Sequence, residues 1–134
     1  MLGRVRRSKH FLMRDMLHSE VAHFHGLMNV PDDPDLAIEV GTRLCDELLE
    51  PIQDRWGSIT IHSAYRSREV NKLGNRLQAE GKAGYNCASN EANAAWHICN
   101  MLDSGGHKGA TACIVIPDFW NAHQGEGDWQ ILAR

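Results

Sequence analysis

The chain has 134 residues, a length that suits one domain and leaves little room for a second hydrophobic core. Hydrophobic residues make up 43% and charged residues 23% of it, a composition typical of folded proteins that argues against disorder over most of the chain. A formal net charge of -3 disfavours a general nucleic-acid binder, and no apolar stretch approaches the roughly 20 residues that span a membrane.

Short helices are predicted for the N-terminal third. Residues 1–10 are basic but no apolar segment follows them, so we expect a flexible, solvated arm rather than a signal peptide. Across residues 11–27, apolar side chains recur at helical steps, which indicates one or two short amphipathic helices. Either Asp33 or Asp35 then caps the next helix, because an aspartate accepts hydrogen bonds from the exposed N–H groups of a first turn.

The strongest helix pattern runs from Leu36 to Trp56, where apolar residues fall every four positions. Pro51 lies inside it, has no N–H to donate and crowds the preceding turn, so we expect a kink or a new short helix there. Alternating and continuous apolar runs indicate two strands, the second of them buried. Strands are predicted over residues 59–65 and 112–116, and short helices over residues 68–77 and 92–101.

Motifs for nucleotide binding and serine hydrolysis are missing from the sequence. One stretch instead carries side chains of the types that bind zinc: Cys87, His97, Cys99, Asp103, His107 and Cys113. A catalytic zinc ion takes three such protein ligands and leaves one position open for water. The spacing is not that of a zinc finger, and ordinary surface histidines and buried thiols are the alternative interpretation.

Several segments resemble one enzyme family, the zinc D-alanyl-D-alanine carboxypeptidase-like peptidases of the hedgehog/DD-peptidase fold. Residues 61–71, IHSAYRSREVN, resemble the family's strand, its S-[GA]-Y-R-S turn and the asparagine that follows. Residues 87–93 and 109–117 are similar to a phage- and prophage-associated branch, as are residues 11–15 and 29–34. The resemblance implies a single α+β domain over residues 11–134, with N-terminal helices packed on a small, mainly antiparallel sheet.

The resemblance also implies Zn²⁺ as cofactor and a peptidoglycan stem peptide as partner. In the family's S-x-H-x-x-G-x-A-x-D motif, His97 is the counterpart of the histidine, and Cys113 stands where the aspartate is expected. Asp103 or His107 is the alternative source of that ligand, and Cys113 is then a small buried residue of a strand. A thiolate is an acceptable zinc ligand.

Two residues at the end of the first strand are implied to face the substrate. Arg66 matches an arginine whose guanidinium fork binds a carboxylate or polarises the scissile carbonyl; a salt bridge to Glu69 is the alternative. Tyr65 is a candidate substrate contact, with packing as its alternative role. Glu91 does not match the family's catalytic glutamate.

The family's last strand, with an E-x-x-W-x-H-like segment, has no counterpart, and the one later histidine, His123, lies in a loop-like setting. We therefore expect a cytoplasmic or phage-associated, zinc-dependent peptidase-like protein, directed at a D-Ala-type stem-peptide bond and lacking its C-terminal catalytic segment. The alternative is a non-catalytic, phage-associated binding or structural module on the same fold.

Overall fold

The computed structural model describes residues 1–124 and 128–133. Its helices are a 3₁₀ turn at Leu2–Arg4, α1 at Met13–Met16, α2 at Glu20–His25, α3 at Pro34–Leu44, a π-helical segment at Cys45–Leu49, α4 at Glu50–Trp56, α5 at Arg68–Ala79, α6 at Pro117–Ala122 and α7 at Asp128–Leu132. Strand β1 at Thr60–Ser63 pairs antiparallel with β2 at Cys113–Val115. The predicted α+β class is confirmed. In the described ranges no helix is long and apolar enough to cross a membrane.

Part of the N-terminal segment packs against the helices, although Met1, Arg4, Arg6, Lys9 and His10 are exposed as expected of a solvated arm. Arg7 is only 5% exposed, and its Nη1 donates to the Ile38 carbonyl at 2.9 Å and to Thr42 Oγ1 at 2.8 Å on α3. Ser8 Oγ donates to the Glu50 carboxylate at the start of α4. Basic composition alone did not show that these side chains have specific partners in the helices.

The long helical pattern is interrupted where proline requires it. Asp33 is the cap, since its carboxylate accepts from Leu36 N at 3.0 Å. Before Pro51, the backbone widens into a π turn in which Glu50 N donates to the Cys45 carbonyl five residues back. Because Pro51 has no N–H, the ordinary ladder is broken there, and a separate helix, α4, continues to Trp56. The predicted new short helix is thus confirmed.

The main core lies between α1, α3, the π segment and one face of the sheet. Its buried members are Phe11, Met13, Met16, Ala37, Val40, Cys45, Leu49, Ala64, Tyr65 and Cys99. The other face of β2 is uncovered, since Cys113 is exposed and Val115 is 42% exposed. The sequence suggested a buried strand, whereas the structure has an edge strand with a single neighbour among the described residues.

Residues 92–101 form a series of turns, so the predicted helix is wrong. Ala95 has a φ of 60°, and its N–H donates forward to the Met101 carbonyl at 2.7 Å, which no α-helix allows. Buried Asn93 explains part of this path: its Nδ2 donates to Asn71 Oδ1 on α5 at 2.9 Å. Contacts with a distant helix therefore override the local helix propensity of the segment.

Candidate functional site

A cavity of about 410 Å³ opens where β1 ends and β2 begins. Arg66 follows β1, Cys113 starts β2, and His97 comes from the turn-rich segment between α5 and β2. Tyr85 and Cys87 line the cavity from the loop after α5. The structure thus brings together four of the residues selected from the sequence: Arg66, Cys87, His97 and Cys113.

His97 is held with one ring nitrogen facing Cys113. His97 is only 8% exposed, and its ring nitrogen Nδ1 lies 2.6 Å from the Ala64 carbonyl oxygen. Because a carbonyl only accepts, Nδ1 carries the hydrogen, and Nε2 presents its lone pair to Cys113 Sγ at 3.7 Å. Burial lowers the pKa of His97, so the neutral ring predominates at pH 7.

The backbone ties this histidine to the end of β1 a second time. Arg66 N donates to the His97 carbonyl at 2.8 Å. His97 is thus held through its ring by Ala64 and through its backbone by Arg66. Asn29 fixes the same turn, accepting from Ser67 N at 2.7 Å. These bonds set the relative positions of two cavity side chains through rigid backbone rather than through mobile loops.

Arg66 is a buried cation beside the cavity. It is 6% exposed, and its Nη1 donates to Cys87 Sγ at 2.6 Å. Its buried Nε has no hydrogen-bond partner among the described residues. In residues 1–124 and 128–133 no carboxylate forms a salt bridge with Arg66, so the bridge to Glu69 weighed from the sequence is not formed there. A buried charge without a counter-charge is costly, and an anion entering the cavity would offset that cost.

Tyr65 lies on the opposite side of the backbone from the cavity residues. It is 1% exposed and belongs to the main core, where its hydroxyl donates to the Val30 carbonyl at 3.4 Å. Burial raises the pKa of the Tyr65 phenol above its usual range. The structure corrects the expectation of a substrate contact, because the ring belongs to the buried core and does not line the cavity.

Asp103 and His107 pair with each other in an exposed turn instead of joining the cavity wall. The Asp103 carboxylate accepts from the backbone N–H groups of His107 and Gly105 at 2.9 and 2.8 Å, and His107 Nδ1 lies 3.0 Å from Oδ2. The hydrogen bond from the His107 backbone contributes most to lowering the pKa of Asp103. His123 packs on Phe119 at the end of α6, with ring centroids 4.6 Å apart.

The described residues do not form a complete set of ligands for a catalytic zinc ion. Within the part of the chain that the structure describes, no group of three His, Cys, Asp or Glu side chains is arranged to hold a metal. His97 and Cys113 supply two donors, and a catalytic zinc needs three. Cys99 belongs to the core, and burial raises its pKa to about 12, which disfavours the thiolate that a metal requires.

Cys87 is the residue that sequence reasoning undervalued. It appeared only as one of several zinc-type side chains, yet it contacts Arg66 from 21 positions away. No local signal marks that pairing, which depends on α5 and its following loop folding back over the strand end. Gln78 Oε1, which accepts from Cys87 N at 2.6 Å, and Asn75 Nδ2, which donates to its carbonyl at 2.8 Å, hold the loop in place.

Comparisons with protein-family models, with curated proteins and with solved structures found no match to this chain. What the cavity binds is therefore inferred from its chemistry.

Proposed function

We propose that this chain is a peptide-binding module in which Arg66 binds the terminal carboxylate of a peptidoglycan stem peptide. The observation that carries the proposal is the buried guanidinium at the cavity, with an unpartnered Nε and no carboxylate paired to it in the described ranges. A carboxylate is the planar, singly charged group that a guanidinium fork binds best.

The remaining cavity wall suits a peptide. Tyr85 gives an aromatic surface, and its hydroxyl is fixed by His25 Nε2 at 2.7 Å. Asn93 and Ser63 provide polar groups near Arg66. A volume of about 410 Å³ lies within the range of about 300–1,000 Å³ typical of small-ligand sites. The D-Ala-terminated stem peptide is the ligand that the family resemblance implies.

The test compares N-acetyl-L-lysyl-D-alanyl-D-alanine with its C-terminal carboxamide by isothermal titration calorimetry. We expect the carboxamide to bind about ten- to a hundredfold more weakly, because hydrogen bonds to a charged group contribute roughly 1.5–3 kcal/mol. In Arg66→Gln the two peptides should bind equally weakly. Arg76→Gln, on the exposed surface of α5, is the matched control and should leave both affinities unchanged.

Arg66→Lys separates charge from geometry, since lysine keeps the charge and loses the fork. Circular dichroism of each variant checks that it is folded. Equal affinity of the wild-type protein for acid and carboxamide, or no binding of either, would refute the role of Arg66. Equal affinity for the L-alanyl-L-alanine peptide would refute the assignment to stem peptides.

Zinc-dependent hydrolysis of a D-Ala-type bond is the second candidate, favoured by the approach of His97 Nε2 to Cys113 Sγ. It requires three protein ligands, and no such group is assembled among the described residues. Elemental analysis of the purified protein, together with release of D-alanine from the same peptide, tests it. One zinc ion per chain and activity lost in His97→Ala would support hydrolysis, whereas metal-free protein without activity would exclude it.

A further inference from the structure

The four thiols of the chain, all within the described ranges, differ sharply in access. Cys45, Cys87 and Cys99 are at most 4% exposed, while Cys113 is exposed at the start of β2. Burial raises the pKa values of Cys45 and Cys99 to about 12. Reagents in solution therefore meet one thiol in the folded protein, and it lies at the cavity.

The surroundings of Cys113 differ from those of an ordinary surface thiol. His97 Nε2 lies 3.7 Å from Sγ, and the bond from Nδ1 to Ala64 keeps the Nε2 lone pair directed at the sulfur. A thiol with an oriented imidazole beside it is the arrangement that activates cysteine as a nucleophile. His97 is thus placed to take the thiol proton as the sulfur attacks.

The same cavity carries a guanidinium. Arg66 lines it and is 6% exposed, and among the described residues no carboxylate forms a salt bridge with it. The carboxylate of Glu20, which also lines the cavity, lies 2.9 Å from His62 Nδ1 instead. An anionic substituent in the cavity would offset the cost of the buried charge, whereas a neutral one would not. His97, Cys113 and Arg66 therefore line one cavity.

We propose that Cys113 is a thiol–disulfide exchange site for small anionic disulfides, with His97 as proton acceptor and Arg66 as the group that binds the anion. Cys113 Sγ attacks one sulfur of the disulfide, the S–S bond breaks, and a mixed disulfide forms. The proton passes from Cys113 through His97 Nε2 to the departing thiolate, which leaves as a thiol. Cys113 is oxidised, and the departing half of the reagent is reduced.

This exchange would regulate the proposed peptide site, because a substituent on Cys113 occupies the cavity. Two parts of this inference rest on the proposed function of Arg66: the regulation of peptide binding and the preference for anionic disulfides. The reaction of Cys113 with a neutral disulfide is independent of that function.

The experiment follows modification by oxidised glutathione and by the neutral 2-hydroxyethyl disulfide, with peptide mass spectrometry to locate the adduct. In the folded protein Cys113 should react at least tenfold faster than each of the other three cysteines. It should also react at least tenfold faster with glutathione disulfide than it does in urea-unfolded protein at the same pH. The unfolded chain is an internal reference that needs no variant.

Variants distinguish the role of His97 from that of Arg66. His97→Asn keeps an N–H donor near the position of Nδ1 and loses the Nε2 lone pair, so both disulfides should react about tenfold more slowly. His107→Gln, in the exposed turn, is the matched control and should change neither rate. Arg66→Gln should slow the reaction of Cys113 with glutathione disulfide and leave its reaction with 2-hydroxyethyl disulfide unchanged. Melting temperatures show whether each variant is folded.

The outcomes distinguish failure of this inference from failure of the peptide-binding proposal. If Cys113 in the folded protein reacts with neither disulfide faster than in the unfolded chain, the exchange site is refuted, whatever the peptides do. If Cys113 reacts fast with both disulfides and Arg66→Gln changes neither rate, the anion-binding part is refuted. Release of peptide on glutathionylation supports regulation, and unchanged peptide affinity contradicts it.

Discussion

Acidification should destabilise this protein through one carboxylate, that of Glu50, which anchors the N-terminal segment. Glu50 is 9% exposed, and it accepts hydrogen bonds from Ser8 Oγ and from His10 N at 2.7 Å, with His10 Nδ1 at 2.6 Å. Burial by itself raises the pKa of Glu50, but the hydrogen bonds from Ser8 and His10 outweigh it and lower the pKa to about 2 from its ordinary 4.5.

The magnitude follows from the difference between the folded and unfolded pKa values. A difference of about 2.5 units corresponds to about 3 kcal/mol of folding free energy at neutral pH. The folded-state pKa is the lower one, so this stabilisation is complete above the unfolded pKa and is lost as pH falls toward the folded pKa. About 2 kcal/mol of it should be gone by pH 3.

The assay is urea denaturation of the wild-type protein and of Glu50→Gln at pH 7, 5 and 3. Glutamine carries no charge, so the variant should be less stable at pH 7; the gap should change little between pH 7 and 5 and shrink by about 2 kcal/mol between pH 5 and 3. Glu47→Gln is the matched control, because that carboxylate is exposed and pairs with Arg43 on the surface; its effect should be small at every pH. A gap between the wild type and Glu50→Gln that stays constant from pH 7 to pH 3 would show that Glu50 is not the linked group.

Two further predictions concern the framework behind the cavity. Asn71→Ala should lower the free energy of unfolding by about 1–3 kcal/mol in urea titrations, because it removes the acceptor of Asn93 Nδ2 and the donor to the Ala88 carbonyl and leaves those two groups only their 3.3 Å bond to each other; a loss below about 0.5 kcal/mol would contradict that network. Gly109→Ala should cost about 1–3 kcal/mol, since its Cβ would overlap the backbone carbonyl oxygen of Ala95. Gly105→Ala, where the Cβ would meet chiefly the exposed imidazole of His107, a side chain that can shift, should cost much less in the same titration.

The elements that the sequence predicted well are those whose cause is local. The four-residue spacing between Leu36 and Trp56 reflects a single buried face, and Pro51 interrupts it through its own missing N–H. Asp33 caps α3 by a bond within its own turn. In each case the residues that determine the structure lie within a few positions of one another.

Predictions failed where the determining partner is distant. The segment around Ala95 contains good helix formers, yet Asn93 bonds to α5 and Gly109 packs on the Ala95 carbonyl. The N-terminal basic segment is held by α3 through Arg7. Neither interaction leaves a periodic trace in the sequence.

The cavity shows the same division. The resemblance selected Arg66, His97 and Cys113, which do line one cavity. It also selected Tyr65, which is buried in the core, and it gave no indication of the contact between Arg66 and Cys87. Residue type and spacing identify a chemical inventory, whereas the direction of each side chain depends on packing across the whole chain.

The paired bonds that join His97 to the end of β1 make the arginine amide a natural reporter. Arg66 N donates to the backbone carbonyl of the same residue whose ring bonds to Ala64, so a ligand that restrains His97 also restrains the acceptor of the Arg66 amide. Hydrogen–deuterium exchange at the Arg66 amide should therefore slow when a bound ligand restrains His97. A nuclear magnetic resonance signal from the backbone would then record occupancy without any label on the ligand.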